Sequence, residues 1–157
     1  MRIREIAVFV LVVTLAGFAT AARASASPQD DVMATIHQFI NGFNRGDEAS
    51  AVATCAQDAS IIDDFPPHEW NRPQACSDWW AALAAYDKEH GMSSGTVALG
   101  TPWHLSVTDN RGYVVVPATY SYKQNGKPTV ERGSVFTVAL RKTSAGWRIT
   151  GWAWSSH

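Results

Sequence analysis

Two adjacent aspartates, Asp63 and Asp64, follow a short, largely apolar run that a pair of prolines then ends. The run over residues 59–63 predicts a strand that carries these carboxylates to its end. A carboxylate held against an apolar interior is a candidate general base, because burial raises its pKa towards neutrality while it remains a proton acceptor. Since side chains alternate across a strand, only Asp63 of the pair is expected to face the interior.

A base also needs a group that stabilises the charge formed on the substrate, and three side chains on later predicted strands are candidates. His104 lies beside Trp103, and one of two strand neighbours is expected to face inward. Tyr120 and Tyr122 share one strand face and could place a phenol in a cavity, although aromatic residues on strands more often serve packing.

No metal site is predicted. His68 and Glu69 follow the aspartates on a proline-stiffened loop, but their spacing matches no ligand signature, and a charged loop is usually solvated. Cys55 and Cys76, without a clustered pair of histidines, cannot fill the four positions around zinc. No cofactor is predicted either.

Tryptophan is abundant, with seven residues in 157. Four of them lie on or beside elements that could surround a cavity: Trp70, Trp103, Trp152 and Trp154. Large rigid rings suit an apolar, ring-shaped ligand. The same rings could instead fill a small core in which no cavity survives. The sequence leaves both interpretations open.

Three helices are predicted before the sheet. The first begins after an N-cap at Ser27 and ends at Gly46. Its apolar residues recur with helical period: Val32, Ile36, Phe39, Ile40 and Phe43. A shorter helix is expected from Asp47 to about Cys55, and a third from Pro73 to His90.

Beyond Gly91 the apolar period changes from helical to two, which predicts strands over residues 96–108, 113–123, 130–142 and 147–154. Asn125-Gly126 is a strong hairpin signal, so the strands should form an antiparallel meander. Pro117 predicts a bulge or an edge position. Amphipathic helices and a curved antiparallel sheet bury their apolar faces by packing together, which predicts a two-layer α+β domain over residues 25–157.

The N-terminus has the pattern of a signal peptide over residues 1–24. Arg2 and Arg4 precede an uncharged stretch, residues 6–22, and Ala22-Arg23-Ala24 fits signal peptidase. A retained anchor helix is the alternative, but the apolar stretch is shorter than the ~20 residues that a bilayer span needs. We therefore expect an exported protein, periplasmic or secreted.

The net charge limits the classes of partner, and the two cysteines bear on the redox state of the compartment. Removing residues 1–24 removes three arginines and one glutamate, which leaves 10 basic against 13 acidic residues. This balance argues against nucleic acid and against anionic membranes as partners. In an oxidising compartment Cys55 and Cys76 are expected to form a disulfide, the alternative being two buried thiols.

Three short motifs accompany this order of elements: Gly46-Asp47, Ala-Gln-Asp-Ala at residues 56–59, and Asp63 with Phe65. In element order and in these motifs the chain resembles the nuclear transport factor 2-like (NTF2-like) superfamily, which includes ketosteroid isomerases and SnoaL-like polyketide cyclases. The resemblance implies a cone-shaped, cystatin-like fold without a cofactor. It covers nearly the whole mature chain in element order but only about its first third at residue level.

The resemblance also implies roles. Asp63 takes the position of the base. Phe39 takes the position of one oxyanion-hole donor, and the position of the other falls at or near Val135, flanked by Ser134 and Phe136. Phe39, Val135 and Phe65 thus become candidate ligand contacts. Neither Phe39 nor Val135 carries a donor. Losing one such donor typically costs two to three orders of magnitude in rate, so ketosteroid isomerisation is not expected.

Three functional hypotheses follow. The first is an exported domain whose apolar pocket binds a small organic molecule. The second is an isomerase, dehydratase or cyclase in which Asp63 abstracts a proton and His104, Tyr120 or Tyr122 stabilises the charge. The third is an interaction module that forms a homodimer through its sheet. A buried donor opposite Asp63 would favour chemistry over binding alone.

Overall fold

The computed structural model describes residues 27–71 and 73–156. The predicted signal peptide lies outside the described residues. Within the described ranges no helix is long and apolar enough to cross a membrane. The elements follow the order α1 (Pro28–Arg45), α2 (Glu48–Val52), β1 (Cys55–Ile62), β2 (Glu69–Trp70), α3 (Ala75–Glu89), β3 (Met92–Leu99), β4 (His104–Thr108), β5 (Arg111–Gln124), β6 (Lys127–Thr143) and β7 (Gly146–Ser155).

The strands form one sheet in the order β2-β1-β7-β6-β5-β3, and β4 also pairs with β5. Strands β5, β6 and β7 make the predicted antiparallel meander, and Asn125 and Gly126 take the positive φ angles, 50° and 80°, that a tight hairpin requires. Strand β1 joins β7 in parallel, so the sheet is mostly rather than wholly antiparallel.

The predicted strand over residues 96–108 is two strands, β3 and β4, which pair with successive parts of β5. The change of partner falls at Pro117, whose carbonyl oxygen accepts a hydrogen bond from the Gly100 amide at 2.8 Å. The predicted bulge lies beside it. Between Ala118 and Thr119 the register with β6 shifts, and Gly133, with a φ of 87°, is the extra residue.

Several predicted boundaries were wrong, chiefly those of α2, β1 and α3. Helix α2 ends at Val52, and Cys55 already belongs to β1, because the Thr54 carbonyl oxygen accepts a hydrogen bond from the amide of Ile149 on β7 at 2.8 Å. Strand β1 therefore begins before residue 59 and ends at Ile62. Helix α3 begins at Ala75 rather than at Pro73.

Helix α1 lies across one face of the sheet as its sequence predicts. A capping box between Ser27 and Asp30 begins it, and Gly46 ends it in the left-handed conformation. The Asn44 side chain forms two hydrogen bonds to the backbone of Val97, at 2.9 and 2.7 Å, which ties the helix to β3. Its buried stripe comprises Val32, Ile36, Phe39 and Ile40.

Helix α3 is held to the sheet by a covalent bond. Cys55 on β1 and Cys76 on α3 form the predicted disulfide, with 6.6 Å between their Cα atoms. The helices and the sheet enclose one hydrophobic core. The predicted class, a two-layer α+β domain with helices packed on the sheet, is confirmed.

Candidate active site

A cavity of about 320 Å³ lies between α1, α3 and the sheet. This volume falls at the lower end of the range for small-molecule pockets. Its wall is largely aromatic and includes Phe39, Phe43, Phe65, Trp79, Tyr86, Tyr120, Tyr122, Phe136, Trp152 and Trp154. The tryptophans therefore do not fill the core completely, and a cavity remains between them and the other aromatic rings.

Asp63 lies on the wall of this cavity, one residue after β1 ends, and is 8% exposed. Its Oδ2 accepts a hydrogen bond from Trp79 Nε1 at 2.7 Å, and its Oδ1 accepts one from the Asp64 amide at 2.7 Å. Burial raises the pKa of the Asp63 carboxyl to about 7, although the two hydrogen bonds oppose the rise. The group is therefore close to half ionised at neutral pH.

The loop after β1 fixes the position of this carboxyl. The Asp63 amide donates to the His68 carbonyl oxygen at 3.1 Å, and the His68 amide donates to the Phe65 carbonyl oxygen at 3.0 Å. Asp64 is exposed but also lines the cavity. Both aspartates thus border the cavity, where strand alternation predicts only one, because the strand ends at Ile62.

The two candidate tyrosines differ in their hydroxyl groups. Tyr120 is 9% exposed, and its Oη is buried without a hydrogen-bond partner among the described residues. Burial raises the pKa of its phenol, so the group stays a neutral donor. The Tyr122 hydroxyl donates to Glu131 Oε1 at 2.9 Å. Tyr120 therefore offers a free donor on this wall, and Trp152 Nε1, also buried without a partner among the described residues, is a second one.

Two cavity residues on α3 were not singled out in the sequence. Trp79 and Asp87 stand at the helical positions i and i+8, with Leu83 and Tyr86 between them on the same stripe. Burial raises the pKa of Asp87, and its Oδ1 is buried without a partner among the described residues. The sequence signal that could have identified Asp87 is its position, at helical spacing, on the apolar stripe of α3.

A family model for the SnoaL-like domain matches residues 32–156. The chain belongs to the SnoaL-like domain family. No curated protein matches it. The implied fold is confirmed by this match and by the solved structures that the chain resembles.

Three of these solved structures are similar to this SnoaL-like domain over most of its length. A ketosteroid isomerase-like protein from Erwinia carotovora atroseptica SCRI1043 has 14% identity and a TM-score of 0.65 and covers 82% of this chain and 95% of its own. An NTF2-like protein with a cystatin-like fold from Novosphingobium aromaticivorans has 15% identity and a TM-score of 0.64, and the match covers 80% of this chain and 79% of that protein. A CaMKII hub from S. rosetta has 13% identity and a TM-score of 0.69, and the match covers 85% of this chain and 100% of that one. At these identities the similarity shows the fold alone.

The remaining candidate side chains fall into two groups. Phe39, Phe65, Trp152 and Trp154 line the cavity of this SnoaL-like domain. Trp70 is buried behind the wall, where its ring packs on that of Phe65 with centroids 5.0 Å apart.

Trp103, His104 and Val135 lie outside the cavity, contrary to expectation. His104 pairs with Val115, and Val115 pairs with Thr137, so these side chains share the sheet face turned away from the helices. Trp103 precedes β4 and is 67% exposed. We expected one of the two to face inward because neighbouring residues of a strand point to opposite faces. This rule does not apply to the pair, since β4 begins at His104 and Trp103 lies outside it.

Val135 fails for a different reason. The extra residue Gly133 reverses the inside-outside alternation of β6, so that Glu131 and Phe136 both line the cavity while Val135 faces outward. Phe136 therefore replaces Val135 as the cavity residue of this segment. Phe39 and Phe136 both lack a hydrogen-bonding side chain.

Within residues 27–71 and 73–156, no group of three or more histidine, cysteine or acidic side chains is arranged to hold a metal ion. The polar groups of the described cavity lining are acids, phenols, indole N–H groups, one amide, one serine hydroxyl and one imidazole. They can transfer protons and form hydrogen bonds.

Proposed function

We propose that this SnoaL-like domain binds a small organic molecule in its cavity and that Asp63 acts there as a general base. The reaction class is cofactor-free proton transfer, as in an isomerase, dehydratase or cyclase. The observation that carries the proposal is the Asp63 carboxyl, buried on the cavity wall with its pKa raised to about 7. A base with a pKa near the working pH is the most effective one for general catalysis.

The contacts of Asp63 suit this role. A carboxylate has about four lone-pair sites, and Trp79 and the Asp64 amide occupy two of them. These bonds orient the group and leave acceptor capacity for a substrate proton. In the proposed step a substrate C–H bond breaks and a new O–H bond forms on Asp63. The C–H electron pair moves into an enolate, whose oxygen accepts a hydrogen bond from Tyr120.

Return of the proton from Asp63 to a different carbon completes an isomerisation. In an elimination the enolate electron pair expels a β-hydroxyl, which takes the proton from Asp63 and leaves as water. Both outcomes need a substrate with a C–H bond beside a carbonyl group. Phe39 and Phe136 carry no donors, so the donors of this site, the Tyr120 hydroxyl and Trp152 Nε1, stand at positions other than those that the family resemblance implies.

Deuterium exchange tests this proposal without knowledge of the natural substrate. A panel of small cyclic enones and β-hydroxy ketones is incubated with the protein in D₂O, and incorporation at the acidic carbon is followed by NMR. We expect catalysed exchange by the wild type and loss of that catalysis in Asp63→Asn, with Asp64→Asn retaining it. Equal exchange by wild type and Asp63→Asn would remove Asp63 from the mechanism.

Binding without chemistry is the second candidate. It is favoured by the two phenylalanines that stand where donors are expected. Quenching of tryptophan fluorescence by panel members, with no exchange above the solvent rate, would support this alternative. The exported location also remains a proposal, and the Cys55–Cys76 disulfide is compatible with it.

We also propose that the domain self-associates through the outer face of its sheet. Ile62, Trp103 and Tyr113 are 56%, 67% and 45% exposed. Ile62 on β1 shares this face with His104 on β4, since the paired residues Ala153, Thr137 and Val115 connect them over the three strands between. Tyr113 lies there too, with its ring centroid 5.7 Å from that of His104, while Trp103 directly precedes His104 at the edge of this face. Exposed apolar side chains on and beside one sheet face are typical of an interaction surface.

Trp103→Asp is expected to shift the protein from dimer to monomer at micromolar concentration, because a charge would be buried in the interface. Sedimentation velocity measures the change. Ala84→Asp, at an exposed position on α3, is the control and should leave the sedimentation coefficient unchanged. A wild type that is monomeric at all concentrations tested would refute self-association.

A further inference from the structure

The charged groups that line the cavity are unevenly distributed. Four acids line it: Asp63 and Asp64 after β1, Asp87 on α3 and Glu131 on β6. None of the described lining residues is a lysine or an arginine. An enclosed wall with charges of one sign concentrates its field inside the cavity, so it attracts ligands of the opposite sign.

The basic member of the lining is His90. Its ring stacks on that of Tyr86 with centroids 3.9 Å apart, and its Nδ1 lies 2.9 Å from the Tyr86 carbonyl oxygen. Burial raises the pKa of Asp63 and of Asp87, so these two carboxyl groups carry less than full charge. One imidazole still does not balance them together with Asp64 and Glu131. The cavity therefore favours a cation over an anion even when His90 is protonated.

The apolar wall adds a second attraction for cations. Trp79 and Trp152 meet at 90° with ring centroids 4.9 Å apart, and Phe136 meets Trp152 at 60° with 5.6 Å between centroids. In these edge-to-face pairs the edge of one ring covers part of its neighbour's face. A ring face that borders the cavity carries negative potential and attracts an ammonium group, the same ligand class that the carboxylates favour.

Three buried polar atoms of lining residues have no hydrogen-bond partner among the described residues: Asp87 Oδ1, the Tyr120 hydroxyl and Trp152 Nε1. The Tyr120 and Trp152 side chains are nine-tenths buried or more. A hydrocarbon would leave all three atoms unpaired, which costs binding free energy. A ligand that carries an ammonium N–H beside an oxygen gives Asp87 a donor and gives Tyr120 or Trp152 an acceptor.

We propose that the cavity selects a protonated organic amine with an apolar body, with Asp87 and Glu131 holding the ammonium group and the aromatic rings enclosing the remainder. This inference rests on the proposed function and names the ligand class of the same site. Asp63 keeps its role as the base at the wall formed by Trp79.

Three probes of similar size separate charge from shape: benzylammonium, its neutral isostere ethylbenzene, and the anion benzoate. Binding at pH 7.5 is followed by tryptophan fluorescence, and the indole N–H signals of Trp79 and Trp152 in NMR spectra locate it. We expect benzylammonium to bind about tenfold to thirtyfold more tightly than ethylbenzene, and benzoate to bind least.

Asp87→Asn should reduce the ratio of benzylammonium to ethylbenzene affinity about fivefold or more. Glu89→Gln, an equal change of charge at an exposed position on the same helix, should leave the ratio unchanged. If Asp87→Asn does not fold, judged by its circular dichroism, Glu131→Gln tests the same point on the sheet.

The possible outcomes separate this inference from the proposed function. If ethylbenzene binds as tightly as benzylammonium, or if neither variant changes the ratio, the cation inference fails while binding in the cavity stands. If no probe binds, the cation inference fails together with the binding half of the proposed function. The deuterium-exchange experiment then judges the role of Asp63 separately.

Discussion

Asp63→Asn is expected to raise the free energy of unfolding at pH 8 by about 2 to 3 kcal/mol and, in the same protein, to lower any proton-transfer rate by about 10²–10⁴-fold. The asparagine keeps the shape of the side chain and an acceptor for Trp79 Nε1, but it cannot take up a proton. The expected result is therefore a more stable and less active protein, a trade-off typical of buried catalytic groups.

The pH dependence follows from the two states of this carboxyl. Unfolded, it ionises near 3.8, whereas in the folded protein burial raises its pKa to about 7. Between these values the native state holds more protons, so the free energy of unfolding falls as the pH rises through this window. A pKa difference of about three units corresponds to about 4 kcal/mol of stability, which the substitution restores at pH 8. About 1 kcal/mol is subtracted, because one of the two donors that bond to Asp63 lacks an acceptor in the variant.

Urea unfolding of wild type and variant at pH 4 and pH 8 measures this difference. The gain should be large at pH 8 and close to zero at pH 4, where the native carboxyl is already protonated. Asp64→Asn is the matched control, since it removes an adjacent charge at an exposed position and should give little gain at either pH. A gain of equal size at both pH values would show that ionisation of Asp63 does not cost stability.

Removing the disulfide is expected to lower the free energy of unfolding by about 2 to 5 kcal/mol. The bond joins residues separated by 21 positions and links β1, which carries Asp63 at its end, to α3, which carries Trp79. Opening it restores entropy to the unfolded chain, by roughly 3 kcal/mol for a loop of this length.

Urea unfolding of the oxidised protein, the reduced protein and the variant with Cys55→Ala and Cys76→Ala measures this effect. Reductant should destabilise the wild type and have no effect on the variant. The Trp79 indole N–H signal should also shift on reduction if the bond helps to hold the Asp63 contact. Equal stability of oxidised and reduced wild type would contradict the prediction.

Local signals in the sequence determined the elements and the candidate base. Ser27 and Gly46 bound α1 because capping depends on residues within one helical turn, and Asn125-Gly126 forms the hairpin because only a few residues adopt its positive φ angles. Asp63 was identified because it follows an apolar strand directly. The disulfide followed from two cysteines in a chain with an export signal pattern.

Only the tertiary structure decided which side chains meet Asp63. Its contact with Trp79 joins residues 16 positions apart on different elements, and no local pattern encodes that distance. The bulge at Gly133 turned Phe136 inward and Val135 outward, because one extra residue reverses strand alternation beyond it. The sequence by itself determined the fold class and the candidate base, whereas long-range strand register, which depends on packing of the whole sheet, decided the walls and the charge of the cavity.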